Sequence, residues 1–363
     1  GRAPRVGDLV TLPTLGETLR RIAAEGKDAV YEGEFAEKLC AHVQRYGGWL
    51  TPEDLHGFEA EWVEPITADY HGVRLYECPP NGQGLAAIMA VKIAAGFELG
   101  EMAPNERTHI LIECMRLGFT EALGWVSDPH FGTVPYEQLF DDDYIQSRRA
   151  MIREDWAIPH LETGVQPVGE DTVYMSAVDG AGNACSFINS LYMGGGTGLV
   201  VPGTGVFLQN RAALFSLDPA HPNALAGGKR PYHTIIPGML TKDGELYGSF
   251  GIMGGFMQPQ AHFQALSNLV DLGYNPQQAL DMPRFRLDVT AGGGVGAADP
   301  GGLVHLEPGL DEAALKHRGH RVDVLCGRGR SLFGGGQILL RDAESGVITA
   351  GSDGRKDGCA MGY

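Results

Sequence analysis

Long apolar runs are missing from this 363-residue sequence. None approaches the roughly 18 to 20 apolar residues that a membrane-spanning helix needs, so we expect no membrane partner. The first residues, Gly1-Arg2-Ala3-Pro4, do not resemble a signal peptide, although a leader could precede Gly1. The 43% hydrophobic content still provides enough apolar material for a large core, and we expect a globular protein.

Paired cysteines are also missing. The six cysteines are scattered singly, without a CxxC motif or the spacing of a zinc site, which favours reduced thiols and a cytoplasmic location. His317 and His320 lie close together, but no third or fourth ligand is apparent beside them. We therefore expect neither a metal nor an organic cofactor.

Positive charge is scarce. Lys and Arg number 28 against 45 Asp and Glu, and the net charge of -17 is spread along the chain. Such a balance argues against nucleic acid and anionic membranes as partners, and favours a small molecule. The segment Gly194-Gly195-Gly196-Thr197-Gly198 lacks the following lysine of a phosphate loop, so nucleotide binding is not expected.

The apolar residues follow two different periodicities. Helical spacing predicts helices over 15–25, 33–46, 84–95 and 106–124, interrupted by two short strands at 66–70 and 73–77. From Thr172 onward the pattern favours strands, at 173–179, 184–188, 205–208, 235–240, 246–251, 333–340 and 347–351. Helices are predicted at 258–272 and 276–282. Helices packed on stacked sheets is the simplest architecture for this order.

Several segments resemble the γ-glutamyltranspeptidase family of N-terminal nucleophile hydrolases, in order and spacing. They are Leu15-Gly16-Glu17-Thr18-Leu19, Tyr31-Glu32-Gly33-Glu34-Phe35-Ala36, Gly47-Gly48-Trp49-Leu50-Thr51-Pro52-Glu53-Asp54-Leu55, Ser127-Asp128-Pro129, Gly228-Lys229-Arg230-Pro231, Met253-Gly254-Gly255 and Asp357-Gly358-Cys359-Ala360-Met361-Gly362-Tyr363. The resemblance implies a four-layer αββα sandwich of the α+β class. It also implies one catalytic domain in two regions, a mostly helical large-subunit part at 1–171 and a β-rich small subunit at 172–363.

The resemblance also implies a catalytic set. The precursor would cut its own backbone between Asp171 and Thr172, and Thr172 would become the nucleophile. Its freed α-amino group, with an ordinary pKa near 8, would act as the base. The amides of Gly254 and Gly255 would hold the oxyanion, and Ser190 would orient the threonine hydroxyl. Without the resemblance, Thr172 would be an ordinary β-branched residue at a strand start.

The substrate pocket departs from the family pattern. The residues that hold a glutamyl α-amino group align with Arg211 and Leu214, and neither can accept a hydrogen bond from an ammonium. His233-Thr234 replaces the serine pair that grips the α-carboxylate, and Tyr192 replaces an asparagine. An arginine beside a histidine and a threonine suits a carboxylate next to the scissile amide. Arg211 could instead be a surface or salt-bridged arginine, and His233 a structural histidine.

The same segments resemble the branch of the family that includes oxamate amidohydrolase, notably Pro79-Pro80-Asn81-Gly82-Gln83-Gly84 and Pro231-Tyr232-His233-Thr234-Ile235-Ile236-Pro237. We therefore expect a threonine amidohydrolase that acts on a small carboxylate-bearing amide. One alternative is a γ-glutamyltransferase or glutathione hydrolase. Another is an unprocessed, inactive homologue with a structural or binding role.

The first residues resemble the middle of the family's large subunit. We therefore expect the chain to be a fragment or one piece of a longer precursor. Its partner would be the N-terminal part of its own large subunit, in a heterodimer of processed subunits or a dimer of it. In the family that part carries an arginine for the substrate carboxylate, which cannot be assigned to any residue of this sequence.

Overall fold

The computed structural model describes residues 2–159, 171–289 and 302–363. The chain divides into two compact units. Unit 1 comprises Gly1–Trp62 and Met193–Asn210, and unit 2 comprises Val63–Tyr192 and Arg211–Tyr363. The part of the chain that is described contains no helix long and apolar enough to cross a membrane.

Unit 1 contains four short helices: α1 (Pro13–Glu25), α2 (Asp28–Tyr31), α3 (Gly33–Arg45) and α4 (Pro52–His56). Helix α4 begins with a capping box, in which Thr51 accepts a hydrogen bond from the Asp54 amide and the Asp54 side chain bonds back. The helices predicted at 15–25 and 33–46 are confirmed. The strand predicted at 205–208 is wrong, since only an isolated bridge between Val200 and Phe207 forms there.

Unit 2 contains both helices and strands. In its first half the elements are β1 (Ile66–Tyr70), β2 (Val73–Glu77), α5 (Gly84–Ala94), α6 (Pro104–Trp125), α7 (Tyr136–Leu139), α8 (Asp142–Arg149), β3 (Asp171–Val178) and β4 (Ala184–Tyr192). In its second half they are β5 (Gly238–Lys242), β6 (Glu245–Met253), α9 (Met257–Val270), α10 (Pro276–Asp281), β7 (Phe285–Leu287), β8 (Leu303–Leu306), α11 (Glu312–His317), β9 (Arg321–Val324), β10 (Gly335–Arg341) and β11 (Ile348–Ser352).

The largest sheet of unit 2 has six strands in the order β1-β2-β5-β6-β10-β11, all antiparallel. Helix α5 packs on β1, and α9 packs on β6 and on α5. Apart from Lys92, every residue of α5 is buried, which is typical of a helix enclosed on all sides. The core of unit 2 therefore lies between this sheet and its helical layer.

Strands β3 and β4 form a separate two-stranded sheet that packs on β6 and β10. Phe250 of β6 contacts His262 of α9, whereas the neighbouring Ser249 bonds to Ser176 of β3. Because successive strand side chains point to opposite faces, the hairpin and α9 cover opposite faces of the six-stranded sheet. The described residues of unit 2 thus form successive helix, sheet and sheet layers.

The outer face of the β3–β4 hairpin is apolar and open to solvent. Val173, Met175 and Phe187 are 68%, 57% and 49% exposed. A smaller sheet contains β7, β8 and β9, in which β7 is antiparallel and β9 parallel to β8.

Candidate active site

Strand pairing in the hairpin brings the predicted nucleophile and its predicted partner together. Thr172 pairs with Ser190, and their hydroxyl oxygens are 3.0 Å apart. The register shifts between Asp171 and Thr172, so that β4 carries one extra residue opposite this peptide bond. Bulges of this kind often re-aim a side chain next to an active site. Thr172 is only 4% exposed.

Tyr192 ends β4 in an unusual backbone conformation. Its φ of 78° lies in the left-handed region, which costs a residue other than glycine about 1–3 kcal/mol. In this conformation its amide donates a 2.8 Å hydrogen bond to Ser190 Oγ. The serine oxygen therefore lies between the Tyr192 amide and the Thr172 hydroxyl, and its rotation is restricted.

Arg211 begins a 3-10 turn and is only 4% exposed, which excludes the surface arginine considered from the sequence. Its Nη1 donates a 2.8 Å hydrogen bond to Thr234 Oγ1, and its guanidinium lies 5.1 Å from the Tyr192 ring centre. Burial lowers the pKa of Arg211 to about 10, so the side chain remains charged at neutral pH. Arg211 thus contacts two other residues predicted for the substrate pocket.

His233 is held by its backbone. Its amide donates to the Asn81 carbonyl at 2.8 Å, and its carbonyl accepts from the Gln83 amide at 2.9 Å. Burial and the positive charge of Arg211 lower the pKa of His233 to about 3, which keeps the ring neutral at pH 7. The ring Nδ1 accepts a 3.3 Å bond from the Ile235 amide, as a structural histidine would.

Gly254 and Gly255 form the junction between β6 and α9. Their φ angles of 136° and 54° belong to conformations that glycine adopts readily. Their carbonyls accept hydrogen bonds from the amides of Met257 and Gln258 in the first turn of α9. Among the described residues no acceptor is recorded for either glycine amide. Two amides beside a helix N-terminus are suited to bind an oxyanion.

Side-chain contacts align β3 with β6. Ser176 bonds to Ser249 at 2.6 Å, and the ring of Tyr174 covers Gly251, where a Cβ would collide with it. Earlier residues of β3 therefore contact later residues of β6. Thr172, two residues before Tyr174, lies toward the end of β6 that leads into Gly254 and Gly255.

Gln83 is a residue whose role the sequence did not reveal. It is fully buried, and its Nε2 donates to the carbonyls of Thr234 at 2.6 Å and Gly255 at 2.8 Å. The Tyr232 hydroxyl donates to its Oε1 at 3.4 Å. One side chain thus links the predicted oxyanion loop to the predicted substrate segment. Its place in a segment that resembles the family was the only available signal.

The backbone of Asp171 pairs with Tyr192, but its side chain and residues 160–170 lie outside the described residues. The cleavage before Thr172, the catalytic roles and the division at residue 172 therefore stay predictions. Leu214, which aligns with a polar family residue, is buried in the same 3-10 turn as Arg211.

One cluster of possible metal ligands is buried in unit 2, away from these residues in sequence. His109 and Glu113 of α6 meet His320, with ligand atoms within 4.8 Å of one another. The expectation that His320 lacks further ligands is therefore wrong. However, His109 Nδ1 lies 2.7 Å from His320 Nε2, whereas two nitrogens on one zinc ion are separated by about 3.3 Å. Arg116 also bonds to Glu113, so the cluster is held by its own hydrogen bonds.

Comparison with known proteins gives one family. The family model described as gamma-glutamyltranspeptidase matches residues 1–363. The glutathione hydrolase-like YwrD proenzyme of Bacillus subtilis is 33% identical over all of this chain and 68% of its own length. The oxamate amidohydrolase proenzyme of Klebsiella pneumoniae is 32% identical over all of this chain and 67% of its own length.

Among solved structures, the cephalosporin acylase from Bacillus halodurans is 44% identical, with a TM-score of 0.87 over 100% of this chain and 65% of that one. The chain thus spans about two thirds of the length of these three proteins. The similarity confirms the predicted α+β fold class of N-terminal nucleophile hydrolases.

Proposed function

Because the chain belongs to the gamma-glutamyltranspeptidase family, we propose that it carries the catalytic centre of a self-processing amide hydrolase with Thr172 as nucleophile. This proposal rests on the 3.0 Å contact between the hydroxyls of Thr172 and Ser190 at the open end of the β3–β4 hairpin. Two of the matched relatives are themselves described as proenzymes, which agrees with an activating cleavage.

Activation begins at the Asp171–Thr172 bond. The Thr172 hydroxyl attacks the Asp171 carbonyl carbon, the peptide C–N bond breaks, and water hydrolyses the resulting ester. The product has a free α-amino group on Thr172. Before cleavage this nitrogen is an amide and cannot take a proton, so the hydroxyl gains a base only after processing. The bulge opposite this bond favours the reaction because it frees the peptide from regular strand geometry.

In turnover the α-amine takes the hydroxyl proton as the oxygen attacks the substrate amide carbon. The tetrahedral oxyanion is held by the amides of Gly254 and Gly255. The C–N bond breaks, and the departing nitrogen receives the proton from the α-ammonium. Water then attacks the acyl-threonine ester, which releases a carboxylic acid and restores the hydroxyl. Ser190 orients the nucleophile throughout, because the Tyr192 amide fixes its oxygen.

The pocket residues favour an acyl group that bears a carboxylate. Arg211 is buried and charged, and it is fixed by Thr234 and the Tyr192 ring. His233 is neutral and adds no second charge. A substrate ammonium would face the guanidinium, whereas a carboxylate would offset the cost of burying it. We therefore propose a small carboxylate-bearing amide such as oxamate as the substrate, which would give oxalate and ammonia.

The exposed face of the hairpin supports a partner. Val173, Met175 and Phe187 form an apolar patch on a layer whose other side is buried. Such a patch usually marks an interface. We propose that it is covered by the remaining third of the precursor, as the fourth layer of the αββα sandwich, and that the processed protein is a heterodimer of its two subunits.

Denaturing gels of the purified protein test the nucleophile. The wild type should yield a fragment whose N-terminal residue is Thr172, and Thr172→Ala should remain a single chain. Thr172→Ser is the matched control, because it retains a hydroxyl and should still be cleaved, although more slowly. An intact wild type that behaves as Thr172→Ala does would instead support the inactive homologue.

A panel of amides tests the substrate. We expect release of ammonia from oxamate and little cleavage of a γ-glutamyl anilide. Rapid turnover of the anilide would contradict the pocket argument and favour a γ-glutamyltransferase or glutathione hydrolase. The similarity to the cephalosporin acylase supports a second candidate, a hydrolase of acylated cephalosporins. Cleavage of such a compound faster than oxamate would favour that candidate.

A further inference from the structure

A cavity of about 210 Å³ opens in unit 2. It lies between the N-terminal half of α6, the C-terminal half of α9 and the loops that precede β7 and α11. Its apolar walls are Leu111, Leu272, Met282, Phe285 and Leu310. One charged side chain, Arg107, lines the same space.

Arg107 is buried without a direct ion pair. It is 9% exposed, and its Nη2 donates to Ser267 Oγ at 2.7 Å and to Asn268 Oδ1 at 2.9 Å. Its Nε is enclosed and has no hydrogen-bond partner. Within the described residues no partner is recorded for Nη1 either, and this nitrogen is not among the enclosed atoms. Nη1 therefore remains available to a ligand in the cavity.

The acid whose charge acts on this guanidinium already accepts two hydrogen bonds. Asp271 accepts hydrogen bonds from the Tyr70 hydroxyl at 2.7 Å and the Ser267 hydroxyl at 2.5 Å. Its charge acts on Arg107, and Ser267 bonds to both side chains. Burial lowers the pKa of Arg107, because removing the guanidinium from water penalises its charged form. An anion in the cavity would offset that cost.

The cavity is separate from the candidate active site. Its α9 residues, Gln264 and Asn268, follow the first residue of that helix by 7 and 11 positions. At 1.5 Å per residue they lie about 10 to 16 Å along the helix from the Gly254-Gly255 junction. Thr172 lies toward the other end of α9, because it aligns with the end of β6 that leads into Gly254 and Gly255. Binding here would therefore not require Arg211 or Thr172.

We propose that this cavity binds a small monocarboxylate with an apolar body, whose carboxylate meets Arg107 and whose body lies against Leu111, Phe285 and Leu310. The volume is below the roughly 300–1,000 Å³ of pockets for drug-sized ligands, so the body should be about the size of one aromatic ring. A charge-assisted hydrogen bond to a buried arginine selects an acid over its neutral amide.

Calorimetric titration of the purified protein with benzoate and with benzamide tests this site. Wild type should bind benzoate at least about tenfold more tightly than benzamide. Arg107→Met keeps the volume of the side chain and should remove that preference. Arg74→Met is the matched control, because Arg74 is an exposed arginine paired with Asp69 and should leave binding unchanged.

Two further variants separate the cavity from other causes. Leu310→Trp fills the space while keeping Arg107, and it should abolish benzoate binding even if Arg107→Met folds poorly. Arg211→Met should bind benzoate as wild type does. Loss of binding in Arg211→Met alone would assign the ligand to the active site and overturn the proposal. Equal affinity for benzoate and benzamide, or no binding at about 10 mM benzoate, would overturn it too.

Discussion

Replacement of Gln83 by leucine should remove the hydrogen bonds of this side chain to Thr234 and Gly255 while keeping its volume. Leucine is similar in size and apolar, so it should fill the same fully buried space. It cannot donate to the carbonyls of Thr234 and Gly255, which now accept bonds of 2.6 and 2.8 Å. A buried acceptor left without its donor costs about 1–3 kcal/mol. The Gly255 carbonyl keeps the bond from the Gln258 amide, so only the Thr234 carbonyl loses its donor. We expect Gln83→Leu to lower the free energy of unfolding by roughly 1–3 kcal/mol.

Gln277→Leu is the matched control. Gln277 also donates from Nε2 to a backbone carbonyl, that of Ser352 at 3.0 Å, and accepts from the Ser352 amide. It is exposed, however, so water can replace these bonds, and the change should cost no more than about 1 kcal/mol. Both variants are best compared by urea unfolding in the Thr172→Ala background, where every sample is an uncleaved chain.

Cleavage before Thr172 gives a second measurement of the same link. In protein that keeps its nucleophile, Gln83→Leu should slow the appearance of the Thr172 fragment, because the Gly255 peptide loses a bond that fixes it. Gln277→Leu should not slow it. Equal unfolding free energies for the two leucine variants, with equal cleavage rates, would refute the argument that Gln83 holds the oxyanion loop.

Three more changes test the pocket and the nucleophile. Arg211→Met should raise KM for oxamate about tenfold or more, since a charge-assisted bond is lost, and steady-state kinetics would show it. Ser190→Ala should slow cleavage before Thr172 about tenfold or more, and Ser190→Thr should restore it, as followed on gels. The pKa of His233 falls from an ordinary 6.5 to about 3, so its unfolded form binds a proton first as pH decreases. This residue should therefore lower folding stability below pH 6.5, by roughly 2 kcal/mol at pH 5, in addition to the loss from His320, whose pKa burial also lowers to about 3. His233→Gln should remove the loss from His233 in urea titrations, whereas a change at the exposed His317 should not.

Local patterns predicted the elements whose apolar period is unbroken. The strands at 66–70 and 73–77 match β1 and β2, because alternation and the His71-Gly72 turn agree. Helix α5 was also predicted to within a residue at its end. The isolated bridge at Phe207 and the short strands β7 and β8 depend on tertiary pairing, which a local period does not contain. The cytoplasmic location stays a prediction.

Some residues of the candidate site could be predicted from the sequence, and others could not. Thr172 and Ser190 could be matched by their positions in the family pattern, and a hairpin then brings them together because both lie near its open end. The positive φ of Tyr192 and the bonds of Gln83 were invisible in the sequence, since both result from packing over long chain separations. His109, Glu113 and His320 show the same effect, because α6 and the residue before β9 meet only in the fold.

Contacts connect the predicted pocket residues to the predicted nucleophile. An isolated Arg211 would be costly to bury, yet here Thr234 and the Tyr192 ring hold it in one position. Tyr192 in turn fixes Ser190, which contacts Thr172. A carboxylate that displaced Arg211 would therefore change the position of Thr172 through Tyr192 and Ser190. If Arg211 selects the substrate and Ser190 orients the nucleophile, as proposed, both roles depend on Tyr192. Tyr192 should therefore affect both KM and kcat, whereas Arg211 should act mainly on KM.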